Sequence, residues 1–434
     1  MDQDRPATYR DVFAVAEWRW MFGAQTFSLI GDQLARVALT VLVFRDTGSA
    51  LLTSLVFALT FLPWVVGGPA LAVLADRWPR LRVMVVTDLL RTLLVLLLAT
   101  PGLPLPVACA LVFCVTLVAA PFEAARSALQ PEVLTGDRYV VGAAICNING
   151  QVAQVAGFAA GGVLVALLSP SLALVLNAAT FAVSAMLLQV GLRRLPAAGR
   201  AGGTSHLTAR ADIATGFHFV FRAPMLRQLA LLAWIGAAFS AIPEGLAAPY
   251  AASLGGGAGT VGLLLAANPL GAVIGAAAIA RLVAPARRVR LMVPLAVLAC
   301  GSLAGFLLRP SLEVALGLLV LSGIGGAFQL PANALFVTAV PPQLRGRAFG
   351  LVACGLYAGQ GAAILAAGAL AVLVPPAVVI GLGGLAGAAL VVPLGAALRD
   401  SLAPSGAPDA AGTGTVPAGS EPALPSSAPP AVTA

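Results

Sequence analysis

The sequence predicts an all-α polytopic membrane protein: twelve transmembrane helices, arranged as two six-helix halves related by a parallel repeat. Three observations carry that reading. Charged residues make up only 10% of the 434-residue chain and hydrophobic ones 59%, whereas soluble domains average about 25% charged. Apolar runs of about 20 residues, enough to cross a bilayer core of roughly 30 Å, recur from end to end. Short segments of the first half also return in the second, in the same order and at a nearly constant offset.

Backbone groups cannot stay unpaired in lipid, so each apolar run is expected as a helix. No period-two alternation suggests a β-barrel. The spans cover about 20–43, 51–74, 83–100, 105–124, 140–165 and 171–191, then 228–250, 259–282, 291–308, 312–334, 347–372 and 377–397. They divide the chain into an N-terminal half over 1–192, a cytoplasmic central loop over 193–227, a C-terminal half over 228–398 and a tail over 399–434. The tail is rich in Pro, Ala, Ser and Gly, cannot bury a core, and is expected to be disordered. The start, "MDQDRPATYRDVF", has no small-residue cleavage site after a short apolar core, so no cleaved signal peptide is expected.

Orientation follows from arginine, the only basic residue other than histidine in the chain. With both termini in the cytoplasm, the cytoplasmic loops hold Arg77, Arg80, Arg82, Arg126, Arg138, Arg193, Arg194, Arg287, Arg288, Arg290, Arg345 and Arg347, against Arg45 and Arg309 outside. Positive charge marks the cytoplasmic side of membrane proteins. It accounts for the net charge of +8 without a nucleic-acid partner. A multi-pass protein of the cell membrane is therefore expected, and a monomer. In the central segment Ile213, Phe217, Val220 and Phe221 recur at helical spacing, flanked by Arg210, Arg222 and Arg227, which predicts a helix lying on the cytoplasmic membrane surface. Cys109, Cys114, Cys146, Cys300 and Cys354 fall within apolar spans without metal-type spacing and read as small hydrophobes. A phosphate-cradling Gly-x-x-x-x-Gly-Lys loop is impossible in a chain without Lys. No cofactor, metal or enzymatic activity is expected.

The repeat rests on four matches. "FSLIGDQLARVA" at 27–38 aligns with "FSAIPEGLAAPY" at 239–250, which sets Asp32 opposite Glu244. "RLRVMV" at 80–85 aligns with "RVRLMV" at 288–293, and "PFEA" at 121–124 with "PANA" at 331–334. Arg138 with "GQ" at 150–151 aligns with Arg347 and "GQ" at 359–360. Two halves of like topology imply an axis along the membrane normal.

Between spans two and three stands "AVLADRWPR" at 72–80. It resembles the signature loop of the major facilitator superfamily, Gly-x-Leu-Ala-Asp-Arg-x-Gly-Arg: Leu74, Ala75, Asp76, Arg77 and Arg80 match, while Ala72 and Pro79 stand where the family has Gly. "ADRWPRLRVMVVTDLLR", "LIGDQLARVALTVLVFRDTGSA" and "VPPQLRGRAFG" resemble the drug/proton antiporters that include macrolide and siderophore exporters. "GFAAGG" at 157–162 is similar to the Gly-Pro-x-x-Gly-Gly element of exporters' fifth span, with Phe158 in place of Pro. The resemblance covers residues 10–398 and implies alternating access between two rocking halves. It also implies that Asp76 docks near the start of span eleven, around "RGRAFG", as a latch of the cytoplasmic gate. Asp76, Arg77, Arg80, Asp88, Arg91, Glu123, Arg126, Arg345 and Arg347 are the residues assigned to that gate. Asp88 and Arg91 are spaced to pair as an anchor of the signature loop, with Glu123 and Arg126 in the same network.

Charges within the spans carry the remaining chemistry, since each costs roughly 2.5–3.5 kcal/mol to insert. Asp32 and Arg36 lie one helical turn apart and read either as a structural ion pair or as a cavity carboxylate tuned by its neighbour. With Glu244, which has no basic residue nearby in its own span, they are the candidates for proton coupling. Asn147, Gln151 and Gln154 form a polar stripe on span five, echoed by Tyr357 and Gln360 on span eleven, with Gln329 and Asn268 as weaker candidates. Such stripes serve as helix–helix glue or as the lining of a substrate path. The expected function is proton-coupled efflux of small amphipathic or lipophilic molecules. Two other readings stand beside it: a nutrient importer or facilitator, and a transport-inactive sensor or scaffold. Flux direction in inverted vesicles separates the first, and ligand-dependent proton release the second.

Overall fold

In a computed structural model of the chain, residues 7–65, 78–192, 217–341 and 344–402 are described. Asp76, Arg77, most of the central loop with Arg210 and Ile213, and the tail beyond residue 402 lie outside them. Ten helices are long and apolar enough to cross a membrane. Span one is Ala16–Thr47, span four Leu105–Val133, span five Asp137–Leu167 and span six Pro170–Gly191. Span seven is Pro224–Ser253, span eight Ala258–Leu282 and span nine Arg287–Leu308. Span ten is Leu312–Ala339, span eleven Arg345–Leu370 and span twelve Pro376–Ser401. Two more complete the twelve. Span two, Ala50–Val65, is a shorter apolar helix within the described residues. Span three, Arg80–Leu98, spends some of its length on Arg80, Arg82, Asp88 and Arg91. No strand occurs among the described residues.

Local chemistry sets the helix ends. Gly48, in the left-handed region at φ 61°, closes span one, and Ser49 caps span two by accepting the Leu52 amide at 3.3 Å. Ser169 caps span six in the same way, with Pro170 supplying the preset first turn. Pro243 interrupts span seven after Ser240, so Glu244 falls in the first turn of the helix that restarts there. A carboxylate in a first turn faces the positive end of the helix dipole.

Spans one to six pack on one another, as do spans seven to twelve, and the halves meet mainly through spans five and eight and spans two and eleven. Those two contacts are images of each other under the duplication, as a parallel repeat requires. The loops after spans one, three, five, seven, nine and eleven form one end of the bundle, here the short-loop end. The described turns after spans four and eight, with the first residues of span one and the last of span twelve, lie at the other, here the terminus end.

These two ends differ. At the short-loop end one continuous core joins both halves, running from Val37, Phe57 and Phe158 to Leu246, Leu264 and Phe306. Spans five and eight approach so closely there that a Cβ at Gly162 would lie 2.7 Å from the Gly262 Cα, and only glycine fits. The Ser54 hydroxyl of span two donates to the Gly245 carbonyl of span seven at 3.0 Å, and Gly368 of span eleven rests on Ser54. Toward the terminus end the cores are separate: Met21, Met84, Phe122 and Leu188 in the first half, Leu229, Phe328 and Phe336 in the second. Among the described residues the bundle is thus closed at its short-loop end and divided at its terminus end.

The short helix before span seven, residues 217–222, packs on protein as well as facing outward. Val220 is fully buried, and Phe221 stacks with Phe217 at 4.3 Å and meets Trp234 at 6.0 Å. The expected surface helix is therefore anchored in the second half's own core through one face.

Candidate functional site

The division between the halves contains a cavity of about 340 Å³, bounded by Gln25, Ser28, Asp32, Gln33 and Arg36 of span one, Phe61 and Trp64 of span two, Arg91, Glu123, Gly150 of span five and Tyr357 of span eleven. A smaller pocket of about 90 Å³ continues from it, sharing Asp32, Arg36, Trp64 and Arg91 and reaching Asn177.

The centre of the wall is an ion pair between helices. The Arg91 Nη2 donates to both oxygens of Asp32 at 2.8 Å, and its Nη1 to the Ser28 hydroxyl at 3.2 Å. The guanidinium lies over the Phe181 ring, 3.9 Å from its centroid, and its side chain is 4% exposed. The Asp32 side chain is 32% exposed and faces the cavity. This changes the expected pairing. Asp32 pairs with Arg91 across spans and not with Arg36 along its own helix. Asp88 and Arg91 lie deep beside the cavity, and the signature loop they were expected to anchor lies outside the described residues. Asp88 is fully buried, 3.7 Å from Arg91, and accepts the Ser184 hydroxyl of span six.

Arg36 makes no ion pair among the described residues. Its guanidinium lies 5.4 Å from the Phe61 ring centroid and 5.8 Å from that of Phe57, within cation–π range. Glu244 is half-buried and outside the walls of both cavities, with Arg36 as the charge that acts on it. The structure therefore brings Asp32 and Arg36 into one cavity and sets Glu244 behind its wall.

Glu123 and Arg126 form a second charged group in the same cavity. The Arg126 Nε and Nη2 donate to the Glu123 Oε2 at 3.0 and 2.6 Å, and its Nη1 reaches the Gln25 Oε1 at 3.4 Å. Cys146 donates to that same Gln25 oxygen at 3.3 Å. It is a hydrogen-bonding member of the network, not a passive hydrophobe. Across the cavity Trp64 stacks on Tyr357 at 5.7 Å, giving the charged wall an aromatic opposite.

A family model described as the Major Facilitator Superfamily matches residues 21–243, just over half of the chain. The chain belongs to the major facilitator superfamily. A curated relative, macrolide efflux protein A of Streptococcus pyogenes, is 37% identical over 70 residues. That match covers 16% of this chain and about a sixth of the relative, 17% of its length. Among solved structures, the nucleoside transporter NupG superposes with a TM-score of 0.68 at 13% identity, over 89% of this chain and 100% of that one. A bacterial homologue of the human lysosomal transporter Spinster, inward-facing and unoccupied, gives 0.67 at 14% identity over 91% and 98%. A bacterial homologue of the iron transporter ferroportin, also inward-facing, gives 0.68 at 15% identity over 92% and 100%. At these identities the likeness establishes the fold. Membership of the superfamily, together with ten helices long and apolar enough to cross a membrane among the described residues, indicates a multi-pass membrane protein.

The remaining expected residues fall in three places within this fold. On span five, at 100° per residue, Gln154, Asn147 and Gln151 project between the face carrying Gly157 and Gly161, which packs on span one, and the face carrying Gly162, which packs on span eight. The stripe thus runs along the junction of the halves, below the glycine crossing. Tyr357 enters the cavity wall, while Gln360 and Gln329 are half-buried. Asn268 is held elsewhere: its amide donates to the Ser322 hydroxyl of span ten at 3.3 Å, which makes it helix–helix glue. Of the gate residues, Arg80 forms an ion pair with Glu132 and donates to the Ala128 carbonyl, so it ties span three to span four within one half. Arg345 donates to the Val340 carbonyl at the turn before span eleven. Three polar residues escaped the sequence reading: Gln25, Ser184 and the buried Asn149, whose Oδ1 accepts the Thr26 hydroxyl at 3.2 Å. The partner of each comes from another helix, and only the fold supplies it.

Proposed function

We propose that this transporter exports small amphipathic or lipophilic molecules against a proton gradient, by alternating access, with its terminus end in the cytoplasm. The observation that carries the reading is the Asp32–Arg91 pair in the wall of a cavity between the halves: an ion pair whose carboxylate meets the cavity while its guanidinium is buried, facing an aromatic surface. An ionisable group in a bilayer core marks a transport pathway by default. The arginine excess at the terminus end supports the orientation, and the short stretch similar to macrolide efflux protein A supports the direction. In this reading the described conformation is open to the cytoplasm. Substrate enters between the halves, meets Asp32 on one side and Trp64 with Tyr357 on the other, and leaves once the halves rock. Glu244, close to Arg36 and behind the wall, would sense the same event electrostatically.

Asp32→Asn is expected to abolish gradient-driven efflux of dyes and antibiotics from cells while the protein still inserts. Glu244→Gln is expected to weaken it. Unchanged efflux in both variants would discard proton coupling through these residues. Substrate movement across inverted vesicles that only equilibrates its concentration, with no uptake driven by the proton gradient, would favour a facilitator. The latch reading of Asp76 is tested separately: Asp76→Asn should shift the balance between open states, measured by spin-label distances, and leave the substrate profile intact.

A further inference from the structure

The first half buries more carboxylate than its cavity wall uses. Asp88 lies behind Asp32, fully buried in span three. Its Oδ2 accepts the Ser184 hydroxyl, but its Oδ1 has no hydrogen-bond donor. The Arg91 Nη1 stands 3.7 Å from that bare oxygen, while Nη2 of the same guanidinium is bonded to both oxygens of Asp32. The Arg91 Nε has no acceptor either. One guanidinium thus sits between two carboxylates, bonded to the first and within a short movement of the second. Its stacking on Phe181 leaves such a sliding movement open, because a ring face holds a cation without fixing its hydrogen bonds.

The charges around Asp88 come from three helices: Arg91 on span three, Asp32 on span one and Glu123 on span four. Span six offers only the neutral Ser184 and the Phe181 ring. Glu123 is already held by Arg126. Asp32, Asp88 and Arg91 together carry one negative charge in excess, and where that charge falls on the fully buried Asp88 a protein relieves it by keeping a proton on the acid. The acid without solvent, and without a hydrogen bond from the guanidinium, is Asp88.

We propose that Asp88 holds the coupled proton and that Arg91 passes from Asp32 to Asp88 when that proton leaves. The step breaks the O–H bond of Asp88 and forms a new one on a solvent molecule of the cavity, and no other covalent bond changes. The proton departs to solvent in the cavity past Asp32, Arg91 stays cationic throughout, and its hydrogen bonds to Asp32 are exchanged for bonds to Asp88. Asp32 is then an anion free to face the cavity, which suits a substrate carrying a protonated amine next to an apolar body. Such a substrate, by taking Asp32, would drive Arg91 across and expel the proton. The inference rests on the antiport reading for its role in transport, but the exchange itself does not.

The test is pH-difference infrared spectroscopy of the full-length protein in lipid, read at the carbonyl stretch of protonated, buried carboxyl groups. The wild type should show such a band, lost on raising the pH. Asp88→Asn should remove it. Asp32→Asn should keep it at low pH and lose it at a pH lower by about one unit or more, since Arg91 then has Asp88 alone. Ser184→Ala leaves both acids and Arg91 in place, and should move the band's frequency without abolishing it. No band in the wild type, a band that survives Asp88→Asn, or one unaffected by Ser184→Ala overturns the assignment. The measurement uses neither substrate nor gradient, so the two readings fail separately. The expected spectra in a protein whose efflux ignores the proton gradient would overturn antiport alone. Proton-driven efflux that persists in Asp88→Asn would overturn the Asp88 assignment alone.

Discussion

Span three and its counterpart span nine begin alike, with "RLRVMV" and "RVRLMV", and diverge within the next two helical turns. Where span three places Asp88 and Arg91, the same register of span nine places Ala296 and Ala299, both buried. The pattern extends. Glu123 and Arg126 of span four align with Asn333 and Phe336 of span ten. In the first half, helices are bound by charge across a wet cavity. Close backbone contact serves both halves, as where Gly157 and Gly161 meet span one, but in the second it stands without that charge. Gly271 and Gly275 of span eight lie on the backbone of span ten around Val320 and Ile324, and Gly323 of span ten lies on the Asn268 carbonyl. Close helix approach through small residues is the usual route to stability without polar chemistry in lipid. Duplication kept the scaffold twice and the ion chemistry once, so one half can work as the responsive element and the other as the rigid frame.

Substitutions can break that contrast. The largest effect is expected from Arg91→Ala, which strands Asp32 and Asp88 without their cation and should destabilise by about 3–5 kcal/mol, seen as a fall in the thermal unfolding midpoint of purified protein. Ala296→Asp imposes on span nine the carboxylate of span three and should cost roughly 2.5–3.5 kcal/mol. Adding Ala299→Arg should recover some of it, and an unaltered midpoint in the single variant would mean the second half tolerates charge as the first does. Gly323→Val forces a side chain into the Asn268 backbone and should cost about 1–3 kcal/mol by overpacking, with no change in cavity chemistry. The smallest effect belongs to Arg80→Ala. It removes a partly exposed ion pair with Glu132, worth about 0–1 kcal/mol, and the arginine's hydrogen bond to the backbone.

Hydropathy alone made most spans legible, and it was blind where function concentrates. Span three, with four charges, is recognisable chiefly because its opening is repeated in span nine. Within helices, spacing served well for Glu123 and Arg126, three residues apart and bonded. It misled for Asp32, since Arg36 stands one turn away while the actual partner, Arg91, is 59 residues distant. Sequence spacing ranks neighbours along one helix, but in a bundle the stronger partner comes from the helix packed alongside, and no local pattern encodes that distance. The same limit hid Ser184 behind Asp88 and Gln25 behind Arg126. The equivalence of Asp32 and Glu244, read from the repeat, is a matter of register. Pro243 interrupts the helix just before Glu244, and equal register did not place both carboxylates in the cavity wall.

The meeting of Gly162 with Gly262 has a mechanical consequence. It lies near one end of span five, 25 residues from Asp137 at the other, an arm of about 38 Å at 1.5 Å per residue. Two bare backbones in contact form a smooth bearing, with no side chain to unlock before one helix turns on the other. A swing of only about 10° at that bearing sweeps the far end of the arm through roughly 6–7 Å, the width of an aromatic ring with its hydrogens. In the proposed alternating access, a pair of residues with no side chains would set the gearing by which a small tilt at one end of the bundle becomes an opened or shut doorway at the other.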